Sequence, residues 1–256
     1  MRIIKLVMTC LWFLLVSRFT SANEANMNCL RSIKSQVEDP NGYLSSWVFH
    51  NVTEGSICMF NGVSCWNDKE NRVMSIELPG YGLKGEFPHG INQCYGLTNL
   101  NLSGNNFIGV LPSNIASLVA FLTTLDLSYN QFSGEIPAGL SNITYLNILM
   151  LQGNQFTGQL PPELASLQRL RQFSAADNQL IGPVPKFDEA MGIGEDSFAN
   201  NTGLCGLPMD LCIDLEEEMI RFGMIGAALF APVGAFLGWF FLNDKKEKRG
   251  ELRRRS

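Results

Sequence analysis

Between residues 73 and 185 one arrangement of apolar and polar positions returns five times. The segments are Val73–Pro88 (VMSIELPGYGLKGEFP), Leu97–Pro112 (LTNLNLSGNNFIGVLP), Leu122–Pro137 (LTTLDLSYNQFSGEIP), Leu146–Pro161 (LNILMLQGNQFTGQLP) and Leu170–Pro185 (LRQFSAADNQLIGPVP). Asn105, Asn130, Asn154 and Asn178 are spaced 25, 24 and 24 residues apart, and the extra residue falls near Ala120-Phe121. A fixed period of this length predicts a solenoid, in which no coil buries its apolar side alone and stacking supplies the core. Within each L-x-L the alternation of a strand sends the leucines inward and the intervening residue outward. The asparagine offers a short amide to backbone groups left unpaired at the bend. The Gly-x-apolar-Pro ending suits a turn followed by an extended edge segment. The first and last coils deviate, with Tyr81 in place of Asn and Ser174 to Ala176 in place of L-x-x, as coils that meet caps do.

The flanking patterns predict those caps. Leu30, Ile33 and Val37 share one helical face over 26–38, and Asp39-Pro40 ends that helix. Trp47, Cys58, Cys65 and Trp66 then read as a compact N-terminal cap, and 198–212 (FANNTGLCGLPMDLC) reads as its C-terminal counterpart. Two further apolar runs differ from the repeat. Leu6–Val16, behind Arg2 and Lys5 and before Thr20-Ser21-Ala22, has the form of a secretory signal. Phe222–Leu242 holds 21 residues without a charge, enough at ~1.5 Å per residue to cross a hydrocarbon core of ~30 Å. The expected organisation is a signal peptide (1–22), N-terminal cap (23–72), five repeats (73–193), C-terminal cap (194–213), linker (214–221), transmembrane helix (222–242) and basic tail (243–256). The fold class expected is an α/β solenoid of five leucine-rich coils with disulfide-stapled caps and one membrane-spanning helix.

Charge orients this arrangement. The overall formal charge of −5 hides a contrast. From Asn23 to Glu218 there are 8 Lys/Arg against 21 Asp/Glu, a net of −13, whereas 243–256 carries 7 basic and 3 acidic residues, a net of +4. The positive-inside rule places the tail in the cytoplasm and the acidic body outside at the plasma membrane, with the tail against anionic headgroups. The acidic body argues against nucleic acid. Six cysteines follow the signal, which fits an oxidising compartment. Their spacing suggests local staples Cys58/Cys65 and Cys205/Cys212, with the arrangement of Cys29 and Cys94 open. Sequons for N-glycosylation stand at Asn51, Asn101, Asn142 and Asn200.

No catalytic, metal or cofactor constellation is expected. His50 and His89 are isolated, and Gly192-Ile-Gly194 lacks the third glycine of a phosphate loop. Function is therefore expected on the solenoid surface. Outward strand positions line a concave face, on which Tyr129, Ile148, Met150, Gln152 and Asp126 form the candidate partner-contact patch, with Ile148 and Met150 as two exposed apolar side chains. The sequon at Asn101 shares this face. Either it is unused or contacts fall on a lateral edge.

The 24-residue repeat with its Gly-x-apolar-Pro ending, the segments DPNGYLSSW (39–47) and CMFNGVSCW (58–66), and the FANNTGLCGLP end resemble plant leucine-rich-repeat receptor-like kinases. CLRSIKSQVEDP (29–40) and the five-coil length resemble their BIR group in particular. The resemblance implies an ectodomain that binds a SERK-type co-receptor ectodomain and restrains immune or growth signalling. The family continues into a kinase-like domain, and this chain carries none, so no enzyme activity is expected of it. The alternatives are a shortened record of a receptor-like kinase, or a wall-enzyme inhibitor of the polygalacturonase-inhibitor type.

Overall fold

A computed structural model describes residues 24–50, 53, 55–67 and 69–212. The expected signal peptide, transmembrane helix, basic tail and the sequon residue Asn51 lie outside the described residues. Among the described residues no helix is long and apolar enough to cross a membrane. The described residues up to Leu211 form one compact unit.

Each coil contributes one short strand to each of two sheets. On the concave side β1 (Val63–Cys65), β2 (Val73–Glu77), β4 (Asn99–Asn101), β6 (Thr124–Asp126), β8 (Ile148–Met150) and β10 (Gln172–Ser174) lie in that order. β1 is antiparallel to β2, and the others are parallel in unslipped register, with Leu100 opposite Leu125 and Leu125 opposite Leu149. On one flank β3 (Lys84–Gly85), β5 (Asn106–Val110), β7 (Gln131–Glu135), β9 (Gln155–Gln159), β11 (Gln179–Pro183) and β12 (Gly203–Cys205) make a second sheet, also parallel. The motif reading treats this stretch as a turn and an edge segment. The F-x-G-x-apolar spacing pairs instead, because its alternation buries Phe107, Phe132 and Phe156, while the outward positions carry polar residues together with the exposed Ile108, Val110 and Ile181. Those rings stack coil upon coil at 6.0 and 6.4 Å. Gly134, at φ 73°, lies where a Cβ would approach Val110 Cγ1 to 2.8 Å.

The convex side consists mostly of 3-10 turns, such as Ala138–Asn142 and Pro162–Ser166, with a single α-turn at Ile115–Leu118. A 24-residue coil leaves about five residues for this side. A 3-10 turn rises ~2.0 Å per residue against ~1.5 Å for an α-helix, so it spans the gap with fewer residues.

Buried asparagines tie the coils together. Asn130 Nδ2 donates to Leu127 O in its own coil and Leu102 O in the previous one, and its Oδ1 accepts from Phe107 N. Asn105, Asn154 and Asn178 make the equivalent bonds. Asn201, which the repeat alignment does not include, closes the ladder by accepting from Leu180 N and donating to Ala175 O. The C-terminal cap thereby continues the repeat. Phe198 is buried beneath it against Phe173 and Phe187.

Among the described residues the N-terminal helix covers 24–36, so it ends two residues before the expected 38. Leu30 and Ile33 are buried, while Val37 lies past its end and is only partly covered. Glu38 pairs instead with Lys84 through two backbone hydrogen bonds, which ties the cap to β3. Cys29 and Cys94, left open by spacing, are disulfide-bonded, as are Cys58 and Cys65. Cys205 and Cys212 are both disulfide-bonded as well.

Candidate functional site

The expected concave residues are neighbours, with Asp126 opposite Met150 and Tyr129 N donating to Gln152 O, but of the five only Tyr129 is exposed. Ile148 and Met150 are half-buried rather than exposed. Parallel strands ~4.8 Å apart make outward side chains cover one another, and Ile148 is flanked by Thr124 and Gln172 and Met150 by Asp126 and Ser174. Asp126 is spent locally, its Oδ1 accepting from Ser128 N and Oγ at 2.9 and 2.6 Å. Gln152 is half-buried with Oε1 unbonded. Tyr129 is 61% exposed, with φ 53°, but it stands past the strand ends over Gly153. Ile148 begins its strand opposite Thr124, five residues before Tyr129. The concave face is a polar ladder in which Ser75 Oγ and Asn99 Nδ2 both donate to Glu77 Oε1, while Asn99 Oδ1, like Gln152 Oε1, is left without a partner.

A different surface gathers the exposed aromatics. Before each concave strand the chain makes a tight turn closed by an i+3 backbone bond, Leu97 N to Cys94 O, Leu122 N to Val119 O, Leu146 N to Ile143 O and Leu170 N to Leu167 O. The outer residues of each turn are buried, so the two central ones project from the flank opposite the second sheet. Backbone bonds from Thr98 N to Met74 O, Thr123 N to Thr98 O, Asn147 N to Thr123 O and Arg171 N to Asn147 O hold successive turns in register. Tyr95, Phe121 and Tyr145 thus line up, exposed by 66, 57 and 44%, and Arg169 follows at the next turn.

Trp66 completes the row at its N-terminal end. Of the two cap tryptophans Trp47 is buried, whereas Trp66 is half exposed. Trp66 Nε1 donates to Gly96 O at 2.7 Å, and a Cβ at Gly96 would press on Arg72 and Trp66. Glycine at this turn therefore lets the indole lie where the later coils carry their own rings. Arg72 lies over Trp66 at 5.5 Å, Arg169 over Tyr145 at 5.2 Å, and the rings of Phe121 and Tyr145 are 6.3 Å apart.

Two adjoining clefts result. Trp66, Arg72, Tyr95, Gly96, Thr98, Phe121, Thr123 and Tyr145 enclose about 320 Å³. Asn147, Ile148, Arg169, Arg171 and Gln172 enclose about 370 Å³. Neither is lined by a carboxylate, although the body is acidic. Large exposed rings braced by guanidinium groups are the side chains that dominate protein–protein binding energies. The arrangement holds no nucleophile paired with a base and suits association rather than bond making. Of the residues expected to contact a partner, only Ile148 borders it. The signal in the sequence was the 24-residue recurrence of Phe121, Tyr145 and Arg169 just before each leucine run.

Stacked coils with an amide ladder, disulfide-tied cap and an aromatic flank define a leucine-rich-repeat binding scaffold. Residues 25–66 match the leucine rich repeat N-terminal domain, and 96–118, 121–143 and 145–167 match leucine rich repeats. An Arabidopsis thaliana relative named 'probably inactive leucine-rich repeat receptor-like protein kinase' is 64% identical over 203 residues, covering 79% of this chain and 33% of the relative. The crystal structure of the BIR2 ectodomain from Arabidopsis thaliana superposes with a TM-score of 0.70 at 40% identity, covering 73% of this chain and 98% of that one. In the BIR3–SERK2 complex from the same plant, the matching chain gives 0.68 at 44% identity, covering 72% and 97%. The chain belongs to the leucine-rich-repeat receptor-like kinases, in their BIR group, and corresponds to the ectodomain portion. It spans about a third of the length of the first of these relatives.

Proposed function

We propose that this chain is a membrane-anchored extracellular binding module that docks the ectodomain of a SERK-type co-receptor through its aromatic flank and so modulates immune or growth signalling. The observation that carries this reading is the row Trp66, Tyr95, Phe121 and Tyr145, exposed together and braced by Arg72 and Arg169. Kinship with BIR3, which forms a complex with SERK2, supports the choice of partner. Apolar burial over the rings supplies the affinity, and the guanidinium groups favour a partner surface bearing carboxylates. Anchorage rests on the 21-residue apolar run at 222–242 and the basic residues after it.

The test is titration of the full chain, held in solubilised membranes, with soluble SERK2 ectodomain. The unmodified chain is expected to bind, and Tyr145→Ala combined with Arg169→Glu to weaken binding by about 100-fold, the loss of two central contacts. Equal affinity for both forms would reject the flank as the docking site. No binding by either would reject the partner.

A further inference from the structure

Three of the four sequons fall among the described residues, and their settings differ. Asn101 closes β4 on the concave face, half-buried, with Glu77 beside it on one side and Asp126 on the other. Its Oδ1 accepts from both Ser103 N and Ser103 Oγ, at 2.9 and 2.7 Å, so amide and sequon hydroxyl are locked together. An oligosaccharide on its Nδ2 would have to lie along a ladder whose rungs are ~4.8 Å apart. Asn142 ends the convex 3-10 turn Ala138–Asn142 and is exposed, as is Thr144 of its sequon. Asn200 is exposed beside the buried ladder residue Asn201, and its Nδ2 donates one of two hydrogens to Asp177. Both exposed sites end in threonine, a better acceptor hydroxyl than the serine at 103.

We propose that the fold sorts these sites: Asn142 and Asn200 carry N-linked oligosaccharides and Asn101 does not. Glycans at Asn142 and Asn200 then stand on the convex side and the C-terminal cap, and the concave ladder stays bare protein. The donor is a lipid-linked diphosphate oligosaccharide. Its proximal N-acetylglucosamine C1 breaks from the diphosphate oxygen and bonds to the asparagine Nδ2, and the amide proton leaves to the diphosphate side. The inference rests on the extracellular placement in the proposed function but not on the choice of partner.

The experiment maps the full chain expressed in plant cells. Release by peptide N-glycosidase A in H₂¹⁸O converts each occupied asparagine to labelled aspartate, which peptide mass spectrometry then locates. Label at Asn142 and Asn200 and none at Asn101 is the expected result, with Asn142→Gln losing one glycan's mobility on a gel and Asn101→Gln losing none. Label at Asn101 comparable to that at Asn142, or none at Asn142 while Asn200 is labelled, overturns the sorting alone. No label at any site in a chain outside the microsomal fraction overturns the extracellular placement with it.

Discussion

The concave ladder and the aromatic flank are cut from the same 24-residue coil, yet they use their side chains in opposite ways. On the ladder, polar groups bond to neighbours, within a coil as Asp126 does with Ser128 or across parallel strands as Asn99 Nδ2 does with Glu77. On the flank, the central residues of each tight turn have the neighbouring coil's turn above and below but nothing in front of them. Large rings there remain uncovered, and Gly96 makes room for one more. Repetition stabilises where side chains can reach across coils, and it displays where they cannot. The first region should govern stability and the second recognition.

The sharpest way to break this contrast is to weaken the scaffold. Removing the disulfide that closes 65 residues between Cys29 and Cys94 should cost about 4 kcal/mol of stability, against about 2 kcal/mol for the 7-residue Cys58–Cys65 link, on a chain-entropy account. Urea unfolding of Cys→Ser pairs measures the difference. Asn130→Ala should cost about 3 kcal/mol, because Phe107 N–H and the carbonyls of Leu102 and Leu127 lose their partner in a dry interior. Affinity per folded molecule should hardly change, and a large affinity loss without unfolding would blur the division.

Substitutions on the flank should do the reverse. Phe121→Asn places an asparagine ahead of Leu122-Thr123 and creates a sequon inside the larger aromatic row. The glycosylated variant should lose detectable co-receptor binding in a pull-down, while its thermal midpoint shifts by less than about 2 °C, as for a surface change under about 0.5 kcal/mol. Tyr145→Ala alone should weaken binding by about 10-fold, the scale of one interface ring. The smallest effect is expected from Ser174→Ala on the ladder, under about 2-fold in affinity, in keeping with a residue outside the contact centre. A larger effect there would return part of the interface to the concave face.

Much of the scaffold was legible because its causes are local and periodic. Leucines at alternating positions, an asparagine every 24 or 25 residues and Gly-x-apolar-Pro endings specify a coil without reference to its neighbours. The second sheet and Asn201 were harder to read, since both depend on which coil lies alongside. The site was barely legible. Ile148 and Met150 have the composition of a contact patch, but stacking half-covers them. Trp66 sits in cap-like sequence, yet it swings onto the flank, 30 residues from the glycine whose carbonyl receives its indole N–H. The sequence by itself determined the period, the inward face and the residues that must turn. Only the tertiary structure decided which outward residues stay uncovered, because exposure depends on the distance to the next coil, a property of the stack and not of any one repeat.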